Sequence, residues 1–389
     1  MSGLNWWNVL RSTLPLLVLL ITLWSCQKGD LLPPIEILSQ REAGIVEPEL
    51  KGLDTWINSE PFTLEDQRGK VVLIDFWTYT CVNCIRTLPY LKDWYAKYSD
   101  QGLVILGVHS PEFEFEKSIN NVQEAVSRFG INHPVALDNN MVTWDVFDNR
   151  YWPAKYLLDQ NGTVRYQHFG EGSYEETESI IRVLLTDAGY DVSDIAFSYG
   201  SRLGKAAGST YNKNQTRELY AGTHRNYSAN PFHPPYIGNR EYFEHRGGPL
   251  WEKETVFFDP DKHEKGRIYI SGLWSMEEES LRHARDTVDN SDYVFLRFSA
   301  SEVNAVFGSS DEVYDVLVTL NGIPLKPSQK GDDIVFDERG VSFIRVDRSD
   351  MFNLVRLKDF QTGELKLSSK SSGFEIFSFT FGSKSDIGN

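Results

Sequence analysis

Residues 70–98 read KVVLIDFWTYTCVNCIRTLPYLKDWYAKY. Val71 to Trp77 is an apolar, β-branched run of the kind a buried parallel strand requires. From Cys84 onward the period changes. Leu88, Leu91, Trp94 and Tyr95 recur at three- and four-residue spacing, which predicts a helix. Cys81 and Cys84 therefore lie on a strand-to-helix turn, with Cys81 at or near the helix N-terminus. There the free N–H groups and the helix dipole favour a thiolate. Cys84 falls one helical turn further on, on the same face. One sulfur can attack and the other can resolve, which is the geometry of dithiol–disulfide exchange.

The rest of the chain narrows this reading. It holds 389 residues, enough for two or three domains, and its formal charge is −16. That acidic balance argues against nucleic acid, whose phosphates call for clustered Lys and Arg. Only 3 cysteines are present, so the chain is no disulfide-stapled scaffold. A C-x-x-C can also be half of a zinc site. Here the third cysteine is remote, and the 8 histidines contain no H-x₃₋₅-H pair, so redox is preferred over metal. No cofactor is expected.

Targeting signals occupy the N-terminus. After Arg11, an apolar run from Leu14 to Trp24 is broken only by Pro15 and Thr22. It is shorter than the roughly 20 residues that span a bilayer and suits a signal peptide. Leu23-Trp24-Ser25-Cys26 resembles a bacterial lipobox, although Trp24 stands where a small residue is usual. The expectation is a signal peptide over 1–25, lipid on Cys26 and a polar tether over 26–49. Gln27 after the cysteine resembles a sorting signal for the outer membrane. The mature chain is thus expected to be exported and anchored facing the periplasm.

The surroundings of the dithiol carry a specific resemblance. Asp75-Phe76-Trp77, then Cys81-Val82-Asn83-Cys84, then Pro89 five residues after the second cysteine, resemble the thioredoxin superfamily. WTYTCVNCIRTLPYL is similar, more narrowly, to the thioredoxin-like (TlpA/DipZ-type) domain of the DipZ family. Thr80 replaces the Trp that thioredoxin has there, and Val82-Asn83 replaces Gly-Pro. Independently of the resemblance, Leu103–His109 reads as a second strand. Val122, Ala125, Val126 and Phe129 read as a helix capped by Gly130. Residues 155–159 and 163–168 read as a hairpin across Asn161-Gly162, and Ile180, Ile181, Leu184 and Leu185 as a last helix. Together they give an α/β thioredoxin fold over residues 50–190.

The resemblance implies two further residues. Pro153, just before the hairpin, would be a cis-proline facing the dithiol, leaving the backbone at 152 to pair with an extended substrate. Asp75, mid-strand, would carry a proton for Cys84. Burial should raise its pKa. Its replacement by Asn is expected to stabilise, since a buried acid without a good partner is costly. His109-Ser110-Pro111-Glu112-Phe113-Glu114-Phe115-Glu116 reads as an extended segment with one apolar and one solvated face, outside the catalytic set. Peroxidase activity is not expected. Thr78-x-x-Cys81 imitates the peroxiredoxin motif, but Ile74 stands where that family has proline.

Residues 191–215 are rich in Gly, Ser and Asn and read as a linker. Helical periodicity then fades. Candidate strands are 254–258, 266–271, 292–299, 314–320, 333–337, 340–346, 363–368 and 373–381, which predict an all-β sandwich over 216–389, jelly-roll-like. Thr216–Gly222, Gly272-Leu273-Trp274, Ser299–Asn304 and Phe377–Gly382 resemble the DipZ pattern, so the resemblance spans roughly residues 50 to 383. In that family this domain is similar to carbohydrate-binding modules. Trp251, Tyr269, Trp274 and Tyr293 could stack on a glycan, though core is the simpler reading of each. The family also carries a membrane transporter where this chain has its lipid signal, which implies a separate membrane electron donor.

The reading is an exported, lipid-anchored oxidoreductase acting on protein disulfides. Its alternative is a glycan- or protein-binding module with a vestigial dithiol.

Overall fold

The chain is described here from a computed structural model, which covers residues 48–198, 212–223, 254–260 and 262–383. The signal segment, Cys26, nearly all of the tether, much of the linker and Trp251 lie outside the described residues.

The first sheet is organised by the apolar run identified in the sequence. In chain order the elements are β1 (Thr55–Ile57), β2 (Val71–Trp77), α1 (Val82–Tyr98), β3 (Leu103–His109), α2 (Ile119–Phe129), β4 (Val135–Leu137), α3 (Val142–Val146), β5 (Ala154–Leu158), β6 (Val164–Phe169) and α4 (Tyr174–Asp187). All seven residues of β2 are buried. Each large apolar side chain among them contributes about 1.5–3 kcal/mol. The strand order is β1-β4-β3-β2-β5-β6. β2 and β3 are parallel, so the chain must cross over between them, and α1 is that crossover. Gly130 ends α2 in the left-handed region, φ 61°. The hairpin turns at Gly162, φ 72°, where Asp159 Oδ1 accepts the N–H groups of Asn161 and Thr163. The short elements β1, β4 and α3 escaped the sequence reading because three to five residues carry too little periodicity.

The second half is all-β, as expected. Its strands are β7 (Leu219–Tyr220), β8 (Thr255–Phe257), β9 (Ile268–Met276), β10 (Leu281–His283), β11 (Tyr293–Gly308), β12 (Tyr314–Leu320), β13 (Ile323–Pro324), β14 (Val335–Phe336), β15 (Ser342–Val346), β16 (Asp350–Ser368) and β17 (Glu375–Gly382). Pairing joins all 11 into one sheet, ordered β14-β15-β12-β16-β11-β17-β10-β9-β8, with β13 on β12 and β7 on β17. The first half of β11 also pairs with β9 and its second half with β17, so β11, β17, β10 and β9 close a ring.

The sequence-predicted strands at 292–299 and 363–368 are the outer parts of far longer ones. β11 continues to Gly308 through bulges after Ala300 and Val303, and β16 begins at Asp350. Bulges break the two-residue alternation, which is why the sequence pattern stopped at them.

All described residues belong to one unit, Glu36–Asn389. The two halves meet at an apolar cluster separate from both sheets' cores, formed by Phe113, Tyr220, Val306 and Phe377, with Phe115 and Met351 against it. Ion pairs flank it. Arg128 at the end of α2 reaches Asp350 at 2.6 Å, and Arg86 on α1 reaches Glu302 at 3.1 Å.

Candidate active site

β2 ends at Trp77 and α1 starts at Val82, which leaves Cys81 as the N-cap of the helix. The Cys84 N–H donates to Cys81 Sγ at 3.2 Å. A thiolate forming on Cys81 therefore finds an oriented donor at a helix N-terminus, where negative charge is favoured. Both thiols are free, with Cys81 partly exposed and Cys84 buried. Burial drives the Cys84 thiol well above its ordinary pKa, and the neighbouring Cys81 adds to the effect. Cys84 thus needs a base before it can attack.

Asp75 is the nearby candidate. It is 1% exposed, and burial raises its carboxyl to about 6, against the opposing pull of Lys155. Lys155 was missed by sequence reasoning. It is fully buried and stands directly across from Asp75 in the β2–β5 register. Its Nζ lies 3.9 Å from Asp75 Oδ1, an ion pair too long for a hydrogen bond. Burial lowers the Lys155 pKa, while Asp75 and both sulfurs raise it. The expectation that Asp75 lacks a partner is therefore corrected. A cross-strand partner is found only once the register is known.

The Trp152–Pro153 peptide is cis. The Pro153 carbonyl accepts the Gly170 N–H at 2.8 Å, and Trp152 Nε1 donates to the Ser110 carbonyl at 2.9 Å. Trp152 and Cys81 line the same cleft, of about 550 Å³. Its other wall comes from the β-domain, through Thr216, Tyr220 and Phe381. Arg86 and Glu171 lie in it as well, 3.5 Å apart.

The Glu–Phe segment departs from the sequence reading. Residues 114–117 form a 3-10 turn, not an extended strand. The turn brings Glu116 to the same side as Phe113, and Glu116 is fully buried. Its carboxylate accepts the Thr80 hydroxyl at 2.5 Å and the N–H groups of Glu112 and Phe113 at 2.5 and 3.1 Å. Burial raises its pKa to about 7. Thr78, the threonine of the peroxidase-like motif, is buried and turned to His109 Nε2, 3.3 Å away.

The three proposed sugar platforms among the described residues, Tyr269, Trp274 and Tyr293, are otherwise engaged. Trp274 is fully buried and donates to the Ser271 carbonyl, and Tyr269 is 5% exposed. The ring of Tyr293 is covered by Lys366 Nζ at 3.6 Å, and its hydroxyl donates to Asp259.

Comparison with known proteins agrees with this geometry. The model of the AhpC/TSA family matches residues 47–167, and that of the thioredoxin-like C-terminal domain matches residues 235–382. Protein DipZ of Mycobacterium bovis and of Mycobacterium tuberculosis is 32% identical over 353 residues, covering 88% of this chain and 44% of DipZ. The chain thus spans less than half the length of DipZ. Thiol-disulfide oxidoreductase YkuV of Bacillus subtilis is 34% identical over 141 residues, which are 36% of this chain and 94% of YkuV. With its dithiol at the N-terminus of α1, its cis-proline before the hairpin and relatives of this kind, the chain belongs to the thioredoxin-like thiol–disulfide oxidoreductases.

Proposed function

We propose that the protein exchanges electrons with protein disulfides while held at a bacterial membrane by lipid on Cys26. The observation that carries the chemistry is the asymmetry of the dithiol: Cys81 opens to a cleft, while Cys84 is buried beside the Asp75–Lys155 pair. Cys81 thiolate attacks one sulfur of a substrate disulfide. A mixed disulfide forms and one substrate thiolate leaves. Asp75 takes the proton of Cys84, whose sulfur then attacks Cys81 Sγ. The second substrate thiolate leaves, the substrate has gained two electrons, and Cys81–Cys84 is a disulfide. Run backwards, the same steps oxidise a dithiol. In the reducing direction a membrane electron donor restores the two thiols. Pro153 holds the backbone of Trp152 beside Cys81, where an extended substrate can pair with it.

An insulin-reduction assay on the mature protein tests the exchange. Cys81→Ser should abolish it, and Cys84→Ser should trap mixed disulfides on non-reducing gels. If only Cys81→Ser trapped them, the two roles would be reversed. Export and anchoring rest on the sequence around Cys26. Cys26→Ala should release the protein from the membrane fraction, and labelled fatty acid should mark wild type only. Unlabelled wild type with an intact N-terminus would end the lipoprotein assignment. Among the described residues no observation favours the binding-module reading, since Tyr269 and Trp274 are buried and Lys366 covers Tyr293.

A further inference from the structure

Glu116 is a buried acid that the exchange reaction leaves unused. One of its carboxylate oxygens accepts the Thr80 hydroxyl, and the other accepts the N–H groups of Glu112 and Phe113. These partners belong to two different parts of the machine. Thr80 is buried and immediately precedes the attacking Cys81. Glu112 and Phe113 belong to the segment on which the β-domain rests. The Phe113 ring meets Phe377 at 5.0 Å, and the Tyr220 hydroxyl donates to Glu112 Oε1 at 2.7 Å. Both Phe377 and Tyr220 come from the second sheet. Between Trp77 and Val82 the backbone closes a turn, with the Cys81 N–H donating to the Thr78 carbonyl at 3.3 Å, and the Thr80 side chain adds a tie from that turn to Glu116. Thioredoxin-like chains with Trp before the first cysteine have no hydroxyl there. In this chain Thr80 supplies one, and Glu116 receives it.

We propose that Glu116 is a positioning residue that ties the loop carrying Cys81 to the segment docked against the β-domain, so that seating of the β-domain sets the reactivity of the dithiol. The inference deepens the exchange reading above and rests on Cys81 being the attacking sulfur. A capping role alone would use only the two backbone N–H groups, which close the turn at 114–117 from within. The hydroxyl of Thr80 lies outside that turn and is the part capping does not explain.

The test reads Cys81 directly, by its rate of alkylation with iodoacetamide in the reduced, full-length protein at neutral pH. Thr80→Val removes the hydroxyl and leaves the cap of the turn in place. It should slow alkylation about threefold or more, whereas Thr80→Ser, which keeps the hydroxyl, should stay within about twofold of wild type. Phe377→Ala, on the β-domain, should change the rate in the wild-type background but add nothing to Thr80→Val. Two independent, multiplying effects would overturn the coupling, as would wild-type alkylation in Thr80→Val. If Thr80→Val fails to fold, Thr80→Ala serves in the same cycle, because it too removes the hydroxyl while the two N–H groups still cap the turn, and Phe377→Ala should then retain less than half of its wild-type effect. Because alkylation needs no substrate, absence of disulfide exchange would sink the proposed function and leave this cycle to be judged separately.

Discussion

At the scale of single residues the chemistry depends on a buried pair of opposite charges under a buried thiol. Desolvation penalises Asp75, Lys155 and Cys84 alike in their charged forms. Lys155 lowers the carboxyl pKa and so keeps Asp75 available as a base near neutrality. Lys155→Met keeps the length of the side chain and removes that pull. The Asp75 carboxyl should then titrate above its wild-type value of about 6. Resolution by Cys84 should fall with decreasing pH through about 6 in wild type, at a higher pH in Lys155→Met, and show no such limb in Asp75→Asn. Rapid mixing from a preformed mixed disulfide measures this step alone. Matching pH profiles in all three proteins would remove Asp75 from the mechanism. The pair also changes the stability expectation. Asp75→Asn leaves Lys155 buried without its counter-charge, so the variant should lose stability, by about 3 kcal/mol. A denaturant midpoint at or above wild type would contradict this.

At the scale of elements, what the sequence revealed depended on how regular each element is. β2, α1, β3 and the β5–β6 hairpin were legible because each keeps one period over its length and ends in a recognisable turn. Cys81 and Cys84 could be read from their spacing and their place after β2, whereas Asp75 and Pro153 were singled out through the family resemblance. Lys155 was not legible, because its neighbour is set by strand register. Glu116 was not, because alternating Glu and Phe suits both an extended strand and a tight turn. The turn wins here because it hides Phe113 and lets Phe115 lie against Phe377, 4.8 Å away. That packing gives the segment its structural weight. Phe113→Ala should cost about 3 kcal/mol, the usual penalty for emptying a buried phenyl site. Because the ring belongs to the junction cluster, a calorimetric scan should also separate into two transitions. A single transition with an unchanged midpoint would show that the cluster does not join the halves.

At the scale of the whole molecule, the β-domain forms one wall of the cleft that opens onto Cys81, so its charges act on every substrate that enters. Arg86 sits on α1 in the first turn after Cys84. It balances Glu171 at 3.5 Å and Glu302, from the β-domain, at 3.1 Å. Its side chain and both carboxylates are only 17–25% exposed, so salt screens them less than it would surface charges. Arg86→Gln removes one positive charge from the wall of the cleft beside Glu171 and leaves Arg217 among the lining residues. The potential near Cys81 becomes more negative, and an anionic disulfide is repelled while a neutral one is not. Exchange with glutathione disulfide should slow about fivefold more than exchange with hydroxyethyl disulfide at low ionic strength, a difference of about 1 kcal/mol. The gap should narrow as salt is raised toward ~1 M, where the Debye length is about 3 Å. Stopped-flow rates for the two disulfides at several salt concentrations give both comparisons. If both substrates slow equally, or if the gap ignores salt, Arg86 serves to hold the two halves together and does not set the field that substrates meet at Cys81.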